Sequence, residues 1–498
     1  MSDKKPSLSQ ARDAYRAAFP PGQLEIFRAD PIDRVGVPSV AASLRLDTGV
    51  QLGTHGYGAT QEEAEVGALG ELTEFVFAET AVRALPHESG SYNEMVRQHG
   101  ARSVVDPLTL CLPAGSRYDA DMPLTWVPVK RLATGERVFI PEEWVATSPS
   151  TLQGKTPLIT PITNGQGAGL SREQALAHGL LELLQRDGNG LNFRALDQGV
   201  VIDLENAPLG AEVRELLAHY KGLGIEIIPK LASTDFGLVN VYVVGNDPNV
   251  GDQSLMVTAC GEAADPDRDR ALRKALLEYA GSRTRKAFQH GPLEHVERVA
   301  PPGYLNNFLP QVQRNMGTEE NRALHDMVEW LRMPVQTLRS HMAVTLGRQR
   351  TVRFGDLPQA HVTADPKARC AEVVRQLTDS GFDILVADLS PEGHAVHNVK
   401  VIVPGLEVET MTYYRVGERN VARLLARDER LVGIGRAPAG CLHVRLTPEA
   451  EDRLGGPAWF NVGEAERRVG RLYALYREPE RHSAQLMLRA RRHGGGLS

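Results

Sequence analysis

Residues 162–187 read I-T-N-G-Q-G-A-G-L-S-R-E-Q-A-L-A-H-G-L-L-E-L-L-Q-R-D, a glycine-rich stretch running into an acidic helix. Gly165, Gly167 and Gly169 allow backbone conformations that side chains forbid, and predict a loop that lets a ligand approach main-chain N–H groups. Ser171 and Gln174 have the spacing of a capping box, and Leu176, Leu180, Leu183 and Leu184 recur at helical spacing. Glu182 and Gln185 are therefore one turn apart on a shared face.

The same pattern occurs earlier in the chain. Placing Gly56 on Gly167 also puts Gly58 on Gly169, Thr60 on Ser171, Glu63 on Gln174, Ala64 on Ala175, Ala68 on Gly179, Glu71 on Glu182 and Glu74 on Gln185. A fainter third copy has Asp267 as helix cap, then Ala271, Ala275 and Glu278, with Gly281 in the place of Glu74 and Gln185 and Arg283 just beyond. Its leading loop, 261–266, keeps one glycine. Glutamates one turn apart are ordinarily a solvated helix face, but a solvated face has no reason to repeat them at one offset from one kind of loop. Ala68, Gly179 and Ala275 are small enough for close helix packing.

Outside the copies, strands and helices alternate. Residues 126–132 and 137–140 around Thr134-Gly135-Glu136 predict a hairpin. Strands are expected at 39–46, 226–231, 237–244, 255–260, 383–388 and 399–403, and helices at 210–223, 367–380 and 419–426. Residues 304–342 read as helical and linker-like, with Pro334 breaking the pattern. The class is mixed α/β or α+β. Three segments are expected: a lead-in over 1–36, a main domain over 37–430, and a C-terminal extension over 431–498 whose basic tail reads as a solvated helix with a frayed end.

Hydrophobic residues at 42% and charged residues at 24% exclude disordered and fibrous classes, and a net charge of −6 gives no bulk attraction to nucleic acid or an anionic membrane. No apolar run of about 18 residues could span a bilayer. Cys111, Cys260, Cys370 and Cys441 form no CxxC pair, so neither a zinc site nor a disulfide framework is expected, and a reducing cytoplasm fits.

Carboxylates delivered on helices behind glycine loops suit a hard cation such as Mg²⁺, while loop amides and helix N-termini suit phosphate. Arg186 and Arg283 would add fixed positive charge. The pattern therefore points to a metal–nucleotide pocket.

At these residues the chain resembles the YcaO family. H-G-Y-G-A-T-Q-E-E-A-E-V-G-A-L-G-E-L-T-E-F is similar to its first ATP-site motif, the opening stretch to its second, A-L-R-K-A-L-L-E-Y-A-G-S-R to its third, and V-K-V-I-V-P-G-L-E to its late strand and turn. The resemblance spans roughly residues 40–430. It implies the YcaO α/β fold, ATP and Mg²⁺, metal ligation by Glu71, Glu74 and Glu182 with Gln185 at the fourth position, and a nucleotide lined by Asn164, Arg186, Glu278 and Arg283. Family members activate a peptide-backbone amide for azoline or thioamide formation. A ribosomal precursor peptide and a separately encoded peptide-recognition or partner protein are thus the implied partners, and a homodimer is left open.

Five positions depart from the family pattern: Tyr57 for lysine, Gly67 for serine, Phe75 for arginine, Gln185 for glutamate and Gly281 for glutamine. They leave open a second reading, a non-catalytic scaffold that binds a peptide or partner.

Overall fold

The three repeated units are edge strands, each lying against the helix that follows it. They are β1 (Gln51–Tyr57) with α1 (Gln61–Ala84), β2 (Gln166–Gly169) with α2 (Arg172–Asn189), and β3 (Cys260–Asp265) with α3 (Arg268–His290). This computed structural model describes residues 6–154, 156–317, 320–360, 365–427 and 429–492. The residues Gly-Gly-Gly-Leu-Ser expected as a frayed end lie outside them.

Matching caps start the first two helices. Thr60 accepts from the Glu63 N–H at 3.1 Å and Ser171 from the Gln174 N–H at 3.1 Å. The N3 side chains reach past the cap, Glu63 to the Ala59 N–H at 2.9 Å and Gln174 to the Leu170 N–H at 3.1 Å. The capping box is therefore present in spirit but shifted by one residue, identically in both copies.

Several of the glycines do a different job from the one expected: Gly56, Gly167, Gly169 and Gly261 sit in strands and keep them close to a helix, whereas Gly58 lies just past its strand and Gly165 is in a turn at φ +84°, the permissive backbone expected of it. A Cβ on Gly56 would stand 2.1 Å from the Ala64 carbonyl oxygen, one on Gly167 2.1 Å from that of Ala175, and one on Gly261 2.0 Å from that of Ala275. Backbone atoms cannot yield at such distances, so only glycine fits. Small residues at Ala68, Gly179 and Ala275 complete the close approach.

Each unit lies at the edge of its own sheet. β1 closes a three-stranded antiparallel sheet with Ser39–Leu46 and Gly22–Arg28. β2 ends a larger antiparallel sheet through His397–Ile402, Leu385–Asp388 and Leu124–Arg131 to Glu88–Gly90, and Leu124–Arg131 also carries the expected hairpin partner Arg137–Pro141. β3 edges a five-stranded sheet through Val239–Asn246, Glu226–Ser233 and Val200–Asp203 to Arg350–Arg353, the last pair being parallel. Behind α2, Leu176, Leu180 and Leu184 pack on Val399 and Val401. Behind α3, Leu272 and Leu276 pack on Val239, Val241 and Val243. Each such buried side chain contributes about 1.5–3 kcal/mol.

Several local expectations are corrected. The strand expected at 255–260 is a 3-10 helix, Ser254–Thr258, and pairing begins only at Cys260, opposite Val244. Residues 304–342 are no linker: helices Tyr304–Asn315 and Asn321–Arg332 bury Tyr304, Phe308, Met327 and Trp330. The lead-in is tied down through Asp33, which is paired with Arg283 of α3. The C-terminal tail is not solvated at its start, because His482, Ser483 and Ala484 are fully buried, and Ala484 shares a core with Leu324, Val328 and Trp330.

Candidate active site

The three units meet around a cleft of about 710 Å³. α1 contributes Glu71, Glu74 and Phe75; α2 contributes His178, Glu182, Gln185 and Arg186; β3 and α3 contribute Glu262, Lys274, Glu278, Arg285 and Lys286. The three-residue spacing read from the sequence is what turns each pair of α1 and α2 side chains to the same wall. Neighbouring backbone and side chains hold the carboxylates. The His55 N–H donates to Glu71 at 3.3 Å, the Ala168 N–H to Glu74 at 3.0 Å, and the Tyr57 hydroxyl to Glu278 at 2.8 Å.

The electrostatics favour a cation. The protein wall behind Glu71 raises it to about 7 against the opposing pull of Arg285, even though the side chain still touches cleft solvent. Glu74 is held well above the usual carboxylate range, first by burial and then by Glu182 and Glu71. Burial likewise raises Glu182 and Glu278. Among the described residues, no three His, Cys, Asp or Glu side chains stand close enough to hold an ion unaided. Mg²⁺ commonly takes one or two carboxylates and fills its other positions with phosphate oxygens and water, so hard oxygen donors beside Arg186 and Arg285 fit Mg²⁺ arriving with a nucleotide.

With Glu71 as a ligand a proton there would compete with the cation, and that proton leaves as pH rises through about 7. Affinity for Mg²⁺-nucleotide is therefore expected to increase with pH across this range, with net proton release on binding. Calorimetry in buffers of different ionisation enthalpy measures that release. A binding heat independent of buffer would contradict it.

Not all expected residues reach the cleft. Arg283 is 0% exposed; its Nε and Nη2 donate to Asp33 at 2.7 and 2.9 Å, and Nη2 lies 2.9 Å from Asp247. It is a structural clamp. Arg285 lines the cleft instead, for a reason helical geometry supplies: at about 100° per residue, position 285 returns to the face of Glu278 while 283 points about 140° away. Asn164 is half-buried beside the cleft-lining Thr163 and is not itself part of the lining.

Other residues were not anticipated. Glu262 accepts from Gln185, Arg186 and Asn189. Glu478, from the expected tail, accepts from Nη1 and Nη2 of Arg285 at 2.6 and 3.1 Å and from the Lys286 ammonium at 2.7 Å. Nothing local in either sequence marks them; each matters because of partners distant in the chain.

Positions 57 and 281, both read from the sequence as departures, are in contact. A Cβ at Gly281 would stand 2.8 Å from both Cβ and Cδ1 of Tyr57, so the tyrosine ring occupies the space a longer residue would need. Gly281→Ala is therefore expected to lose about 1–3 kcal/mol by overpacking. Glycine to alanine inside a helix otherwise gains about 1 kcal/mol. In a Tyr57→Gly background, which removes both the Cβ and the ring, the same change should switch to stabilising, as urea midpoints would reveal; an unchanged sign would refute the contact.

Comparisons with known proteins agree with this architecture. An uncharacterized protein of Methanothermobacter thermautotrophicus is 28% identical over 402 residues, which cover 80% of this chain and 93% of that one. YcaO from Methanopyrus kandleri, solved bound with AMPPCP and Mg²⁺, superposes with a TM-score of 0.55 at 22% identity, covering 82% of this chain and 91% of that one. A heterocyclase in complex with substrate and cofactor gives 0.58 at 18% identity over 85% of this chain and 55% of its own. These two structures speak to the fold alone. The family model described as "YcaO cyclodehydratase, ATP-ad Mg2+-binding" matches residues 55–407, which hold every carboxylate of the three units, and the chain belongs to the YcaO family, an ATP- and Mg²⁺-binding cyclodehydratase family.

Proposed function

We propose that this protein uses ATP and Mg²⁺ to activate a backbone amide of a ribosomally made precursor peptide for azoline or thioamide formation. The observation that carries the reading is the convergence of Glu71, Glu74, Glu182 and Glu278 with Arg186 and Arg285 on one cleft, in a chain of this family. When bound, ATP supplies the phosphoryl group that makes an amide oxygen a good leaving group. The carboxylates would hold Mg²⁺ against the phosphates. Arg186 and Arg285, fixed by Glu262 and Glu478, would offset the charge that develops there. A separately encoded protein would present the peptide.

A model peptide carrying ¹⁸O at a backbone carbonyl before Cys tests the reading directly. With ATP and Mg²⁺, and with or without added sulfide, the label is expected in released phosphate. Phosphate free of label, with the peptide unchanged, would favour the non-catalytic scaffold. The paired departures argue against that scaffold, because residues released from function have no reason to compensate one another across the cleft.

A further inference from the structure

Glu262 has an arrangement that the sequence motifs do not explain. Gly261 faces the backbone of α3, so the alternation of β3 turns Glu262 to the opposite side, into the cleft. Its side chain is 8% exposed. One oxygen, Oε2, takes three donors: Gln185 Nε2 at 3.3 Å, Arg186 Nη1 at 3.0 Å and Asn189 Nδ2 at 2.6 Å. Among the described residues the other, Oε1, accepts no hydrogen bond, and its nearest cation is Arg194 Nη2 at 3.9 Å. A buried carboxylate with one oxygen saturated and the other free is a preoriented single-oxygen ligand.

Gln185 accounts for the placement. A carboxylate facing Oε2 across 3.3 Å would add like charge in a poorly solvated site, whereas the amide nitrogen satisfies it. The amide's orientation is thereby set, nitrogen toward Glu262 and oxygen away. In this chain the negative charge missing from α2 is delivered by β3.

We infer that Glu262 takes over the cation-facing role absent at Gln185, offering Oε1 to the Mg²⁺ that accompanies the nucleotide. The inference rests on the ATP and Mg²⁺ reading of the cleft. Magnesium needs only one or two protein carboxylates beside phosphate and water, so Glu262 does not have to converge with a third acidic side chain.

Mn²⁺ titrated into the full-length protein with AMPPCP, followed by electron paramagnetic resonance of free Mn²⁺, provides the test without turnover. Glu262→Gln should weaken Mn²⁺ at least tenfold. The exchanged variant Gln185→Glu/Glu262→Gln keeps an amide facing a carboxylate and should recover to within about threefold of wild type. Melting temperatures of both variants show whether each is folded, because an amide at 262 cannot serve the carboxylate placed at 185, Arg186 and Asn189 through one atom as the carboxylate oxygen serves its three donors. Wild-type affinity in Glu262→Gln, or an exchanged variant no tighter than the single one, would overturn the assignment. A wild-type protein that binds no Mn²⁺ with AMPPCP would instead sink the reading of the cleft itself.

Discussion

ATP turnover should fall by about 10²–10³-fold in Glu71→Ala and again in Glu182→Ala, the scale of removing one preorganised group from a developing charge. Phosphate release at saturating ATP measures it, and turnover within tenfold of wild type would place the metal elsewhere. The stability of the same variants separates a functional loss from a damaged fold. The surrounding protein raises Glu71 and Glu182 above the usual carboxylate range although Glu71 is solvent-exposed and Glu182 only half-buried, so ionising them carries a modest cost. Carboxylates kept against that cost do not hold the apo protein together. The apo melting temperature is thus expected to stay level or rise in both variants, while the increase that wild type gains from Mg²⁺ and AMPPCP disappears. A drop in the apo melting temperature would show that these glutamates are structural.

The repeat was legible because it rests on local spacing. Gly56 and Gly167, Thr60 and Ser171, Glu71 and Glu182 each occupy matching places in matching elements. What Gly56 and Gly167 are for was not legible, although Gly165 takes the positive φ expected of it. Permissive backbone and close packing leave the same residue in the sequence, and only the 2.1 Å approach of a would-be Cβ to Ala64 and Ala175 distinguishes them. The site's charge partners were hidden for another reason: Glu262, Glu478 and Asp33 act on residues far along the chain, through contacts with no periodic signature.

The departures from the family pattern show the same limit. Read singly against the motifs they resemble, Tyr57, Gln185 and Gly281 would count as the loss of a cation, an anion and an amide. In space, Tyr57 fills the gap at Gly281 and donates to Glu278, and Gln185 donates to Glu262. Among the described residues Phe75 has no such partner; at 43% exposure it offers an apolar surface to the cleft. Gly67 is less constrained, since a Cβ there would meet only ordinary contacts from 3.7 Å outward.

Arg283 and Arg285, two residues apart on α3, should fail in opposite ways. Arg283→Met would leave the carboxylates of Asp33 and Asp247 facing each other's site without their shared cation. Removing one partner from a buried charge network costs about 3–5 kcal/mol. That is a large part of the roughly 5–15 kcal/mol that holds a typical domain together. The expected result is a large fall in the urea midpoint or loss of soluble protein, with nucleotide affinity intact in whatever remains folded. Arg285→Met is less damaging to the fold, because Lys286 at 2.7 Å and His290 at 3.4 Å still face Glu478. Its guanidinium is part of the cleft wall, however, and AMPPCP affinity should drop at least tenfold. Equilibrium unfolding and nucleotide titration on both variants decide the matter. If Arg283→Met lost nucleotide while keeping its stability, and Arg285→Met did the reverse, the rotation of α3 that turns Glu278 and Arg285 into the cleft would be wrong.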